Sequence, residues 1–96
     1  MPKAKLLVKP DREIVLSRST DTVIGRDSSN AAYVDDRQVS RHHARISCVD
    51  GDFWIEDLNS LNGTRVNGAT VTKQKLAAND QINVGDTIIT FTLDPV

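Results

Sequence analysis

Short apolar runs separated by turn residues make up most of this chain, and helical periodicity is nearly absent. In residues 87–93, Ile89 and Phe91 alternate with Thr90 and Thr92, which is typical of a strand with one buried face. Asp-Gly and Asn-Gly pairs lie between several of the runs and favour tight hairpin turns. We predict strands near residues 4–8, 13–16, 22–25, 31–34, 43–49, 52–57, 64–66, 69–71, 81–84 and 87–93.

So many short strands in a chain of 96 residues predict an all-β protein, either a sandwich or a barrel. The stretch 72–78 is the only candidate for a helix, and it is too short to change this class. The length fits one domain, residues 1–96, with one core. That domain could be a complete protein or a module of a longer one.

The hairpin around Asp50 and Gly51 should bring two distant segments together. Its turn marks one end of the sandwich, so the segments that enter and leave the hairpin, 35–42 and 58–63, must meet at the other end. Ser40 and Asn62 are therefore predicted neighbours. The same up-and-down counting puts the loop of Arg26 at the opposite end, unless the strand at 31–34 is too brief to cross the sheet.

The predicted neighbours carry groups that could hold a phosphate on a peptide. Ser40 offers a hydroxyl, Arg41 a charged fork of donors, and Asn62 an amide that can bond both a C=O and an N–H of an extended backbone. Phosphorylation adds about −1.5 to −2 charges and three acceptor oxygens. The alternatives are that Ser40 caps a turn, that Arg41 is a solvated charge, and that Asn62-Gly63 is only turn chemistry.

The composition indicates which classes of partner the protein could bind and which cellular compartment it suits. The net charge of −1 argues against nucleic acid as a partner, and no apolar run is long enough to span a bilayer. The single cysteine, Cys48, allows no internal disulfide and fits a reducing cytoplasm, where we expect it to be a small buried apolar side chain. We expect Trp54 in the core or on a half-buried sheet face, and Asp35 and Asp36 in a solvated loop.

The sequence gives little support for a catalytic site or a metal site. His42 and His43 are adjacent, so in a strand they point to opposite faces and cannot share a metal ion. One of them should face inward and hydrogen-bond a loop. Ser40, His43 and an aspartate supply the residue types of a hydrolase triad, but the chain lacks a strand–turn–helix elbow and a helix to build an oxyanion hole. We expect no catalytic residue, no metal and no cofactor.

Taken in order, five segments resemble the forkhead-associated (FHA) domain. They are Val-Ile-Gly-Arg at 23–26, Val-Ser-Arg-His-His-Ala-Arg-Ile at 39–46, Trp-Ile-Glu-Asp-Leu at 54–58, Ser-Leu-Asn-Gly-Thr-Arg-Val-Asn-Gly at 60–68, and Asn-Asp-Gln-Ile-Asn-Val-Gly at 79–85. The resemblance covers roughly residues 4–93. It implies a two-sheet antiparallel β-sandwich of about eleven short strands that binds phosphothreonine peptides.

The resemblance also assigns roles to residues. It implies that Arg26, Ser40 and Arg41 contact the phosphate, that Asn62 holds the peptide backbone, and that the threonine methyl enters a small pocket near Asn62. It implies that the loop of Arg26 joins the other two loops. The residues that would support the loops without touching the ligand are Gly25, His43 and Gly63.

Two departures from the family pattern stand out. Leu61 replaces a threonine whose hydroxyl can reach the phosphate, and Asn79 replaces a glycine in a position that tolerates the left-handed conformation. Gln38 is a candidate contact for the third residue after the phosphothreonine, and Leu61 is a second candidate for specificity. Leu61 also motivates an alternative function, phosphate-independent scaffolding.

We therefore expect a non-catalytic phosphothreonine-peptide recognition module in Ser/Thr-kinase signalling. Its partner would be a phosphothreonine-containing protein or peptide, not a nucleic acid or a membrane. We expect a cytoplasmic monomer.

Overall fold

The computed structural model describes residues 2–9 and 11–94 and has eleven strands in two sheets. Ten of them lie in the predicted runs, and one lies in the stretch 72–78. The strands are β1 (Lys3–Val8), β2 (Arg12–Val15), β3 (Thr22–Gly25), β4 (Ala32–Tyr33), β5 (Ala44–Val49), β6 (Asp52–Asp57), β7 (Thr64–Val66), β8 (Ala69–Val71), β9 (Lys73–Lys75), β10 (Gln81–Val84) and β11 (Thr87–Asp94). The all-β class and the strand number are confirmed.

The two sheets pack face to face as a sandwich. One has six strands in the order β2-β1-β11-β10-β7-β8, and the other has five in the order β4-β3-β5-β6-β9. The strand pairs are antiparallel with one exception, since β3 and β4 run parallel. The first and last strands, β1 and β11, are paired along the whole of β1.

The core lies between the sheets and follows the alternation of the sequence. Ile89 and Phe91 have no exposed surface, and the Phe91 ring lies 5.7 Å from that of Phe53 on the facing sheet. Burial of each such side chain stabilises the fold by about 1.5–3 kcal/mol. This core gives the loops at each end of the sandwich a rigid base.

The stretch 72–78, the only helix candidate, contains a strand instead. Lys73–Lys75 pairs with β6, so that Lys73 lies opposite Glu56 and Lys75 opposite Trp54. A helix of two turns is marginal in water because its nucleation is costly. The free edge of β6 satisfies the same backbone groups without that cost.

Of two further expectations for single side chains, the one that Cys48 is buried is wrong, and the one that Trp54 is half-buried on a sheet face is confirmed. Cys48 is only half-buried, because it lies near the end of β5 where the core opens toward the Arg18 guanidinium, 3.9 Å from its Sγ atom. Trp54 is half-buried on the outer face of the five-stranded sheet, with the Lys73 ammonium 5.7 Å from its ring centre.

The turns between strands divide into two groups. We call the end that carries loops 26–31, 34–43, 58–63 and 85–86 the loop end, and the end that carries turns 16–21, 50–51, 67–68 and 77–80 the hairpin end. Across residues 2–9 and 11–94, no helix is long and apolar enough to cross a membrane.

Candidate functional site

Arg26 lies at the loop end beside Ser40 and Arg41. The backbone N–H of Arg26 donates to the Ser40 carbonyl at 3.0 Å, and the N–H of Asp27 donates to the Arg41 carbonyl at 3.2 Å. Simple counting fails here because β4 has two residues and runs parallel to β3, so both strands point toward the same end. The placement implied by the family resemblance is the observed one.

The Arg26 side chain is exposed, and its guanidinium group is anchored by one nitrogen. Its Nε atom donates to the Val39 carbonyl at 3.0 Å. This bond fixes the plane of the guanidinium and leaves its outer amino groups for an anion. Arg41 is also exposed, so the two loops that meet at Ser40 each carry an exposed arginine.

Gly25 permits the two loops to approach each other. A Cβ atom on this residue would lie 2.0 Å from the Arg41 carbonyl oxygen and 2.6 Å from Asn30 Nδ2. The contact with the Arg41 carbonyl cannot relax cheaply, since it involves backbone. Gly25 is therefore required by close packing of backbone.

Asn30, which the sequence did not single out, fastens the same loops. Its Nδ2 donates to the Arg41 carbonyl at 2.7 Å, and its Oδ1 lies 2.9 Å from Nδ1 of the exposed His42. One side chain thus holds the backbone of Arg41 and orients the ring that follows it.

His43 is fully buried and joins two loops. The Ser40 N–H donates to His43 Nδ1 at 3.0 Å, so that nitrogen carries no hydrogen. The hydrogen of the neutral ring is therefore on Nε2, which donates to the Gly63 carbonyl at 2.8 Å. The prediction that one histidine faces inward and bonds a loop is confirmed.

The Ser40 hydroxyl is held in place by the neighbouring loop. Its oxygen accepts a hydrogen bond from the Leu61 N–H at 3.1 Å. The hydroxyl hydrogen remains free to donate outward to a ligand oxygen. The bond confirms that Ser40 lies beside the loop of Asn62, and it leaves the Leu61 side chain 89% exposed next to the hydroxyl.

Asp57 supports loop 58–63 from below. One carboxylate oxygen accepts from the hydroxyls of Ser60 at 2.5 Å and Thr64 at 2.7 Å, and the other accepts from the Ser60 N–H at 3.1 Å. Burial raises the pKa of Asp57, but together these hydrogen bonds lower it by a larger amount. The pKa of Asp57 therefore lies below its ordinary value. Ser60 Oγ in turn accepts from the Gly63 N–H at 2.9 Å.

Asp36 is a structural residue, which corrects its assignment to a solvated loop. Its carboxylate accepts from the Thr87 hydroxyl at 2.7 Å and from the N–H groups of Gln38 at 2.8 Å and Asp86 at 2.9 Å. The Thr87 bond, followed by that of Gln38, holds the pKa of Asp36 below its ordinary value. These bonds tie loop 34–43 to the β10–β11 turn.

Asn62 is exposed, and its side-chain amide already has partners. Its Nδ2 donates to the Gln38 carbonyl at 2.8 Å and to Gln38 Oε1 at 3.2 Å. A polar groove of about 230 Å³ opens beside it. The groove is lined by Gln38, Asn62, Gly63, Arg65, Asn83, Gly85 and Asp86.

Charged groups at the loop end lie both within the scaffold and on the surface. The carboxylates of Asp36 and Asp57 accept hydrogen bonds within the scaffold, whereas Arg26 and Arg41 are exposed, as are Asp35 and Asp86. The surface therefore offers donors and positive charge to a small anion. Within the described part of the chain, no three His, Cys, Asp or Glu side chains are placed to hold a metal ion.

Comparisons with known proteins agree with this arrangement. The FHA domain family model matches residues 22–85. The oxoglutarate dehydrogenase inhibitor of Corynebacterium efficiens is 36% identical over 77% of this chain and 52% of its own length. The glycogen accumulation regulator GarA of Mycolicibacterium smegmatis is 36% identical over 77% of this chain and 47% of its own. This chain thus spans about half the length of these curated relatives.

The fold comparison extends over nearly the whole molecule. A solved FHA domain, from a structural and functional analysis of phosphothreonine-dependent FHA domain interactions, aligns with a TM-score of 0.92 at 31% identity. The alignment covers 98% of this chain and 99% of that one. The strand order, the motifs at the loop end and these matches show that the chain belongs to the FHA domain family.

Proposed function

We propose that this domain reads phosphothreonine in partner proteins of Ser/Thr-kinase signalling, with Arg26, Ser40 and Arg41 on the phosphate and Asn62 on the peptide backbone. The observation that carries the proposal is the meeting of these four side chains on three loops whose backbones are bonded to one another. The structure analysed with phosphothreonine-dependent FHA interactions supports the ligand class.

The binding chemistry needs no bond to be made or broken. Each charge-assisted hydrogen bond from an arginine or the Ser40 hydroxyl to a phosphate oxygen contributes about 1.5–3 kcal/mol. The peptide lies across exposed loops and buries a small area, so we expect micromolar affinity, about −8 kcal/mol. We propose that the domain acts without catalysis, as a cytoplasmic monomer whose partner is neither nucleic acid nor membrane.

Threonine is favoured over serine in this proposal. The extra methyl group of phosphothreonine meets the surface between Asn62 and the exposed Leu61, where it loses contact with water. One buried methyl group is worth about 0.8 kcal/mol, which corresponds to about fourfold in affinity. Phosphoserine should therefore bind more weakly even though its phosphate makes the same hydrogen bonds.

The test is a titration of three peptides of identical sequence that carry phosphothreonine, phosphoserine or unmodified threonine. Arg26→Ala should lower phosphothreonine binding by about 10- to 150-fold, because it removes a charged donor from the phosphate. Arg45→Ala is the matched control, since Arg45 pairs with Glu56 on the outer face of a sheet, away from the loops. Equal binding of all three peptides to the wild type would refute the proposal.

Phosphate-independent scaffolding is a second candidate, favoured by the 89% exposure of Leu61. An apolar side chain so far into solvent could contact a folded partner. The Arg26→Ala/Ser40→Ala double variant separates the two functions. A partner protein that this variant still binds, and that Leu61→Asp loses, would support scaffolding.

A further inference from the structure

The side-chain NH₂ group of Asn62 is fully occupied in the free domain. An amide NH₂ group has two hydrogens. One is directed to the Gln38 backbone carbonyl at 2.8 Å, and the other to Gln38 Oε1 at 3.2 Å. The side-chain oxygen of Asn62 can still accept from a peptide N–H, but no hydrogen is free to donate to a peptide C=O.

The two Gln38 contacts differ in how easily they break. The backbone of Gln38 is fixed, since its N–H donates to Asp36 at 2.8 Å and its Cβ packs closely on Gly85. The side chain beyond Cβ is exposed and borders the polar groove, into which it can turn. A ligand can therefore displace Oε1 but not the backbone carbonyl.

We propose that Gln38 is an internal competitor of the peptide: its side-chain carbonyl takes the Asn62 hydrogen that a peptide backbone carbonyl would use. The inference rests on the proposed function of Asn62. In this role Gln38 weakens peptide binding, whereas a ligand contact would strengthen it. The Gln38 side chain must leave Asn62 before the peptide binds fully. Gln38 then lowers affinity for every phosphothreonine peptide by a similar factor.

The size of the effect follows from the bond that is exchanged. A neutral hydrogen bond has a net value of about 0.5–1.5 kcal/mol, and the exchange costs up to that amount, or about two- to tenfold in affinity. Because the competition concerns the peptide backbone, the factor is independent of the side chains of the peptide. A true contact with a peptide side chain would instead change the affinity of some sequences and not others.

The experiment compares wild type, Gln38→Met and Gln38→Ala against a panel of phosphothreonine peptides that vary after the phosphothreonine. Methionine keeps the length of the side chain and removes its carbonyl, so both variants should bind all peptides about two- to tenfold more tightly. Gln38→Glu keeps an acceptor at the same place and should show no such gain. Weaker binding by Gln38→Met, or a gain limited to some peptides, would overturn the proposal.

A second readout follows the two side chains directly. In ¹⁵N-labelled wild type, saturating phosphopeptide should shift the Gln38 side-chain NH₂ signals toward those of free glutamine, while the Asn62 signals remain those of a bonded amide. Unchanged Gln38 signals would contradict displacement. Failure of the underlying function looks different, because the wild type would then show no phosphate-dependent binding at all.

Discussion

The two ends of the sandwich hold their turns in different ways. At the hairpin end, the shape of two turns is set mainly by their own residues: Asp50 and Gly51 have φ angles of 52° and 84°, and Asn67 and Gly68 have 51° and 87°. A side-chain bond from Asn67 to Asp80 at 2.9 Å joins two of the turns at this end. At the loop end, the backbone is held by side chains from distant segments, as in the bond from His43 to the Gly63 carbonyl, 20 residues away.

Because of this difference, substitutions at the two ends should have different effects on stability and on ligand binding. A turn whose shape is set by its own residues can be weakened with little effect on the loop end. A loop that is held by a distant side chain changes shape when that side chain is lost, and the proposed ligand contacts change with it. Substitutions at the hairpin end should therefore affect stability alone, and substitutions at the loop end should affect both stability and ligand affinity.

Among residues that do not touch the proposed ligand, the largest loss of ligand affinity is expected from Gly25→Ala. The new Cβ, 2.0 Å from the Arg41 carbonyl, forces the two phosphate-binding loops apart. We expect at least a tenfold loss of phosphopeptide affinity and about 1–3 kcal/mol of lost stability, measured by titration and urea unfolding. Gly51→Ala is the control, since its Cβ meets open space at a φ of +84°. It should cost about 1–2 kcal/mol and leave affinity unchanged, and a loss of affinity there would break the comparison.

The next largest combined loss of stability and ligand affinity is expected from substitution of His43. His43→Ala leaves a cavity and removes the bonds to the Ser40 N–H and the Gly63 carbonyl, at a cost of about 3 kcal/mol. His43→Phe fills the volume but makes neither bond. If the bonds set the loop shape, both variants lose affinity. Wild-type affinity in His43→Phe would show that packing alone is sufficient.

The acidic residues beneath the loops predict a pH dependence. The folded-state pKa of Asp57 lies below its ordinary value of 3.8, so its contribution to stability is present above that pH and is lost as pH falls through the folded-state pKa. Asp57→Asn should lose about 2 kcal/mol at pH 7 and show a flatter decline of melting temperature below pH 4. A parallel decline in Asp57→Asn and wild type would exclude Asp57 as the source.

The smallest effect is expected from Arg18→Met at the hairpin end. The Arg18 guanidinium lies 5.0 Å from the Phe53 ring centre and donates to the Pro2 carbonyl at 2.6 Å. Loss of these exposed contacts should cost about 1 kcal/mol in urea unfolding. Phosphopeptide affinity should not change, and any coupling to binding would mean that the two ends are not independent.

The sequence predicted best what neighbouring residues determine. The turns at Asp50-Gly51 and Asn67-Gly68 form where predicted, and Asn79 takes the left-handed conformation with a φ of 72°. Long-range proximity was predicted once, for Ser40 and Asn62, because a single confident hairpin ties their segments together. In each case, the chemistry of a few adjacent residues carries the information.

The rest of the site depends on contacts that no local pattern reveals. Asn30, Asp36 and Asp57 are polar residues near loops, and by sequence they look the same as solvated ones. Their partners become neighbours only after the sheets pack. Strand β9 was missed for the same reason, since the edge of β6 and not the composition of Lys73–Lys75 makes it a strand. Arg26 was placed only by family resemblance, because the two-residue β4 upset the count.

The pairing of β1 with β11 has a consequence for folding during synthesis. Lys3 lies opposite Asp94, so the middle of the six-stranded sheet joins the first strand of this domain to its last. On the ribosome, β1 has only β2 beside it until β11 has left the exit tunnel. Non-local pairing of this kind slows folding to milliseconds or longer. We therefore expect the domain to close only after its whole length has emerged, with an exposed edge on β1 until then.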